Sequence, residues 1–403
     1  MADSGGPDTA SSTSTSNHTT SAPTLEITLE QAQIIIRKLL PGHDQSSVCK
    51  LTDIRSKGFS FTAGTRIYII DLIKSTNDSG RHGPSDHPAS SVSTSSERQS
   101  ECACFLTITH PTTCSGEYNP NTLPVIHDLL NSIRAKTEIP LTESILDTSL
   151  SLIPYHFLLS GTTITPSDHL LSVTDARKSG LLSEKASSFL DLELGKFLGQ
   201  LHANVQNDWF GVPLLEKPAE PSYAWQETFT NLLEGLIYHF ENGNVKVDFE
   251  IPYEKIRLYH SRAIGFSLFD DVEVPSLVWL TGSEDDVFIS KPTNPDDPWS
   301  FEICAILPVG AHAIWGDPLL ESFFIPPNPT KAMAEGYIGG GGGALTIFPR
   351  QNTKRIWYDL FLALLVLYEI RNLGDADEIK EKRAWCEKTI LDSVDALKDA
   401  PNY

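Results

Sequence analysis

The spacing of apolar residues divides this chain into an early part built of strand-like runs and a later part built of helical stripes. Thr28 and Gln31 stand at capping-box spacing. They open a helix predicted over about Leu29–Leu40, which carries Ile34, Ile35, Ile36, Leu39 and Leu40 and is stopped by Pro41 and Gly42. Strand-like runs follow at Lys50–Ile54, Thr65–Ile73 (rich in Ile), Cys102–Thr109 and Ile153–Ser160. A helix is predicted over about Leu123–Lys136. Beyond Phe189 the period becomes helical: Leu190, Leu194, Phe197, Leu198 and Leu201 form one stripe over Phe189–His202. Phe229, Leu232, Leu233, Leu236 and Phe240 form another, Ile256–Phe269 a third, and helices near Thr353–Arg371 and Ala376–Lys398 finish the chain.

Between the helices lies an exception. Apolar runs at Ser276–Leu280, Val287–Ile289 and Ile303–Leu307 read as short strands, with a polar turn from Gly282 to Asp286 between the first two. Trp315, Gly316, Asp317 and Pro318 then open what reads as an apolar helix. Strands that hand over through polar turns commonly hold a site on loops. The expected fold class is α+β and two-lobed: a small sheet-bearing lobe over 25–160 and a mainly helical lobe over 161–403.

Residues 1–24 carry almost nothing to bury and read as a disordered tail, and 75–100 as a disordered polar insertion. The glycines within 336–345 read as a flexible loop, since no GK[ST] follows them to make a phosphate cradle. The net charge of −21 repels phosphate backbones, so nucleic acid is not an expected partner. Six cysteines show neither a CxxC pair nor a regular ladder, which suits a reducing, cytoplasmic setting. The longest apolar run, Leu360–Tyr368, falls far short of the ~20 residues of a membrane helix, so no membrane partner is expected. Arg350, Lys354 and Arg355 read as a solvated basic helix start or an anion-receiving cluster.

The run from Leu194 to His202 (LGKFLGQLH), the NDWFG at Asn207–Gly211 and the AIWGDP at Ala313–Pro318 resemble the aminoglycoside phosphotransferase and fructosamine kinase families. These share the protein-kinase-like fold, and the resemblance covers about residues 25 to 370. It implies a phosphoryl-transfer site made of a lysine on the nucleotide, a helix glutamate holding that lysine, a general-base aspartate and two magnesium ligands. Carried over residue by residue, the lysine position is Thr107, and its glutamate falls near Ile126. The His-Gly-Asp of the catalytic loop falls on Trp279, Leu280 and Thr281, and the asparagine on Asp286. The metal-binding aspartate falls on Val309 or Pro308, while Asp317 matches a supporting aspartate.

A threonine hydroxyl supplies neither the lysine's charge nor a general base near pH 7. The expectation is therefore a catalytically degenerate, pseudokinase-type protein that binds a small molecule or regulates a partner. The alternative is a small-molecule phosphotransferase or a repurposed kinase-fold enzyme, for instance in fungal secondary metabolism. ATP and magnesium belong only to that alternative. Three replacement features stand beside bland readings. Glu284, Asp285 and Asp286 can bind a divalent cation or form a solvated turn. His312 can act as an acid or base or be a structural histidine. Trp279 can stack on a flat ligand in the cleft or fill the space a nucleotide left.

Overall fold

The computed structural model describes residues 25–54, 58–60, 62, 64–74, 102–111, 118–163, 165–243, 245, 247–291, 301–307, 310–374 and 376–401. The tail 1–24, the insertion 75–100 and the positions Pro308 and Val309 lie outside the described residues.

The first lobe is a five-stranded antiparallel sheet with a helix on each side. Helix α1 (Leu29–Leu39) begins at the capping box, with the Thr28 hydroxyl accepting from the Gln31 N–H and the Gln31 side chain from the Thr28 N–H. Strands β1 (Ser46–Ile54), β2 (Thr65–Lys74), β3 (Cys102–Thr109), β4 (Ser144–Asp147) and β5 (His156–Ser160) stand in the order β1-β2-β3-β5-β4. Their period of two sorts the side chains. Ile70, Cys104, Leu106, Ile108 and Leu159 pack against Ala32, Ile35 and Ile36 of α1. Ile69, Ala103 and Phe105 face the core of the second lobe. Helix α2 (Leu123–Lys136) packs Leu123, Ile126 and Leu130 against Leu158 of β5.

In the second lobe, β6 (Leu170–Ser172) and α3 (Val173–Lys178) lead into α4 (Glu184–Asn204), followed by α5 (Trp225–Glu241) and α6 (Tyr253–Gly265). Then come β7 (Ser276–Val278), β8 (Val287–Ser290), β9 (Ile303–Ile306) and β10 (Ile314–Gly316), which form the small sheets β10-β7 and β6-β8-β9. Helices α7 (Lys331–Gly339), α8 (Pro349–Glu369) and α9 (Asp377–Asp399) close the described chain. Helix α8 is the hub, with Leu360–Leu367 buried on every face. No described helix is long and apolar enough to cross a membrane.

Three expectations are corrected. The glycine-rich stretch is not a loop over Gly336–Gly339, which are the last residues of α7. Gly336 and Gly340 abut the backbone of Leu192 and Lys196 in α4, and Gly195 and Gly199 of α4 abut that of Met333 and Tyr337, at spacing four on both sides. A Cβ at Gly336 would lie 2.0 Å from Leu192 O, and one at Gly199 2.2 Å from Tyr337 O, so two backbones touch where side chains are absent. The helix expected after Trp315–Pro318 is two 3-10 turns, Pro318–Leu320 and Ser322–Phe324. Glu321 between them has extended backbone (φ −58°, ψ 127°), and its carboxylate turns inward. The basic start of α8 is not solvated either. Lys354 and Arg355 are buried: Lys354 bonds Asp271 and Asp317, and Arg355 bonds Asp359 and the Glu321 carbonyl.

Candidate functional site

The segment from Ser276 to Ile289 crosses the floor of the space between the lobes, and its local geometry follows from its sequence. Strand β7 pairs with β10, placing Leu277 opposite Trp315. The Trp279 N–H donates to Glu321 Oε2 at 3.0 Å, a charge-assisted bond to a carboxylate with no exposure to water. Leu280 takes φ +61°, a left-handed conformation that a glycine adopts without strain, and it occupies the glycine position implied by the resemblance. Thr281 is 1% exposed, and its hydroxyl has no hydrogen-bond partner among the described residues.

The expected ligand candidates do not converge. Trp279 is 2% exposed and packs against Phe323 at 6.3 Å between ring centroids, so neither face is open to a flat ligand. Glu284 turns toward α3, where Arg177 Nε donates to its Oε2 at 2.9 Å. Arg177 also bonds Asp191, which accepts from the Thr330 hydroxyl at the start of α7. Asp286 points the other way, into a fully buried site. It accepts from Ser60 Oγ at 2.6 Å, Ser283 N at 2.9 Å and Ser283 Oγ at 3.1 Å. The described residues hold no group of three or more acids, histidines or cysteines placed for a metal ion. His312 is buried, with Nε2 3.4 Å from Glu369 Oε1 at the end of α8. It lines a cavity of about 30 Å³, room for little more than one water.

The cation position is apolar as well. Thr107 is 2% exposed, its hydroxyl has no partner among the described residues, and its cross-strand neighbour is Leu158, which belongs to the Leu123, Ile126 and Leu130 cluster. Ile126, standing where the lysine's carboxylate partner would be, reaches Gly310 of the opposite lobe: a Cβ there would be 3.5 Å from it. Deeper between the lobes, Phe105, Leu141, Ser160, Thr163, Ala305 and Ile306 enclose only about 10 Å³. Pockets for ligands of drug size run to hundreds of cubic ångströms.

At the mouth of this space residues 58–60, between β1 and β2, lie against the floor. Gly58 lies so close to Ser283 that a Cβ would come within 2.0 Å of its Oγ. From α9, Lys382 Nζ donates to Gly58 O at 2.6 Å, and Trp385 packs tilted against Phe59 with centroids 4.6 Å apart. Sequence reasoning missed Gly58, Phe59, Ser60, Lys382 and Trp385. The capping-box and stripe signals are local, whereas Ser60 and Asp286 are 226 positions apart and Gly58 and Lys382 are 324 apart.

Burial sets the electrostatics. It pushes Asp286 up to about 6 against the three hydrogen bonds that favour its anion, and it raises Glu284 in spite of Arg177. It lowers Lys382, partly offset by Glu378, Asp285 and Asp286. Between the ordinary aspartate range and about pH 6, the folded chain holds a proton on Asp286 that the unfolded chain has released. The stabilisation associated with that proton is present below the ordinary value and is lost as pH rises through about 6. Asp286→Asn is expected to flatten this part of the stability profile by on the order of 2–3 kcal/mol. Urea midpoints of both proteins at pH 4 and pH 7 check this, and equal slopes would refute it.

No family model matches the chain, and no curated protein does. Among solved structures it is similar to a candidate aminoglycoside phosphotransferase from Ralstonia eutropha JMP134, with TM-score 0.54 and 11% identity over 92% of this chain and 98% of that one. It is also similar to a thermostable mutant of aminoglycoside phosphotransferase APH(4)-Ia in ternary complex with AMP-PNP and hygromycin B, with TM-score 0.49 and 14% identity over 89% and 97% of the two chains. A microcompartment-associated aminopropanol kinase gives TM-score 0.47 and 10% identity over 93% and 100%. A sheet of five antiparallel strands set on a helical lobe, matched to the first of these over nearly its whole length, gives this chain the protein-kinase-like fold of the aminoglycoside phosphotransferases.

Proposed function

We propose that this chain is a catalytically degenerate kinase-fold protein, of pseudokinase type, that acts by binding or regulating a partner and transfers no phosphoryl group. One observation carries the reading: side chains of the protein itself occupy the interlobe space. Ser60 donates to Asp286 at the asparagine position, and the cavity lined by Phe105, Leu141, Ser160 and Ile306 beneath the sheet holds about 10 Å³. Phosphoryl transfer depends on charge neutralisation around a positioned nucleotide. Thr107, Thr281 and Ile126 bring no charge to that task. The five described cysteines are all free thiols, which agrees with the cytoplasmic setting proposed for it.

Nucleotide binding to the folded state alone would stabilise it by about 2.7 kcal/mol at a hundredfold excess over Kd. Thermal melting with and without millimolar ATP and magnesium is expected to give the same Tm. A rise of several degrees, lost in Asp286→Ala, would return the chain to the phosphotransferases.

A further inference from the structure

Helix α9 is sunk into the second lobe most deeply by its later turns. Its buried residues, Cys386, Ile390, Ser393, Val394 and Leu397, all follow Trp385. Ahead of them Asp377, Glu378, Lys380 and Glu381 are exposed, so the first two turns bury little apolar surface in their own lobe. Within their own lobe these turns pack Ile379 on the core and Arg383 donates to Leu373 O at 2.8 Å; they also touch residues across the cleft. Lys382 reaches Gly58 O and Trp385 covers Phe59, both within residues 58–60, between β1 and β2. These residues are in turn seated on Ser283 and Asp286 of the second lobe. An interlobe opening must therefore break the lysine bond, the ring contact and the Ser60–Asp286 bond together, while the later half of α9 stays packed.

We propose that the first turns of α9 are a latch on the interlobe space: Lys382 and Trp385 hold residues 58–60 against Ser283 and Asp286, and lifting these turns opens the lobes. The proposal rests on reading the closed space as the resting state of a protein that transfers no phosphoryl group. It gives that state a handle, because a partner that takes the start of α9 also opens the cleft. The lysine is well placed for such a role. Burial lowers its pKa, with Glu378, Asp285 and Asp286 opposing that shift, and its ammonium stands close to these acids while donating to Gly58 O.

The test is hydrogen–deuterium exchange on the full chain carrying Lys382→Met and Trp385→Ala. Exchange of β1 and β2 amides is expected to speed by on the order of tenfold, the change that about 1.4 kcal/mol of lost closing energy gives, while α4 keeps its rate. Unchanged β1 and β2 rates would overturn the latch. So would a parallel rise in α4, which would make α9 merely part of the lobe's core. Phe59→Ala breaks the same contact from the other lobe and is judged by the same two outcomes should the double variant fail to fold. Melting of the wild type with ATP and magnesium is run alongside. A rise there defeats the degenerate reading alone and leaves the exchange result to decide the latch.

Discussion

Gly336→Ala is expected to destabilise the chain by at least about 3 kcal/mol, the upper end of the usual range for overpacking. The added methyl would lie 2.0 Å from Leu192 O and 2.8 Å from its carbonyl carbon. Those are backbone atoms in the middle of α4, so no side chain can swing aside. The remaining close approaches on this seam respond to the same displacement, since Gly195 abuts Met333 O and Gly340 abuts Lys196 O. Pushing the helices apart also strains the two ties at its ends, His202 Nδ1 with Tyr337 OH at 2.8 Å and the Thr330 hydroxyl on Asp191 at 2.9 Å. Gly339→Ala is the control: nothing lies within 4 Å of its Cβ, and alanine's better helix propensity makes that change neutral to slightly stabilising. Urea denaturation of the two variants decides it. Equal midpoints would mean that α4 and α7 are not in backbone contact.

The same seam shows what the sequence could and could not convey. A run of glycines states only that the backbone has freedom. Whether that freedom serves a loop or a contact depends on a partner helix more than a hundred positions away. Gly195 and Gly199 lie within the LGKFLGQLH passage, but the stripe of Leu190, Leu194, Leu198 and Leu201 there signals side-chain packing and is silent on a backbone contact. Local signals fared better, because the information they use lies within a few residues. The Thr28–Gln31 box and the Leu123–Lys136 pattern match helices starting at Leu29 and Leu123. The turn holding Glu284, Asp285 and Asp286 was visible as a cluster of charge, but the direction each side chain takes was not. Arg177 claims one of them and Ser60 another, and both partners are distant in sequence.

The buried ion pair beneath α8 carries the second large effect. Asp317 Oδ2 accepts from Lys354 Nζ at 2.8 Å and from Tyr358 OH at 2.7 Å, its Oδ1 caps the Leu319 N–H at 2.9 Å, and Trp225 donates to Tyr358 OH at 2.8 Å. Both charges are nearly sealed from water, with side-chain exposures of 4% and 6%. Asp317→Ala leaves Lys354 with Asp271 alone, a carboxylate that is itself 41% exposed, and strands the Tyr358 hydroxyl in a site whose burial already raises its pKa. An uncompensated buried charge of this kind costs about 3–5 kcal/mol. Adding Lys354→Met is expected to recover a large part of that loss, since an apolar side chain of similar length removes the charge that has lost its partner. Lys388→Ala, which breaks the exposed pair with Asp392, is expected to change stability by less than about 0.5 kcal/mol. The measurement is a double-mutant cycle by urea denaturation. Strictly additive losses in the double variant would show that Lys354 and Asp317 do not depend on each other, and the tie from α8 to the turn that presents Glu321 beneath Trp279 would then have to lie in Arg355 and Tyr358.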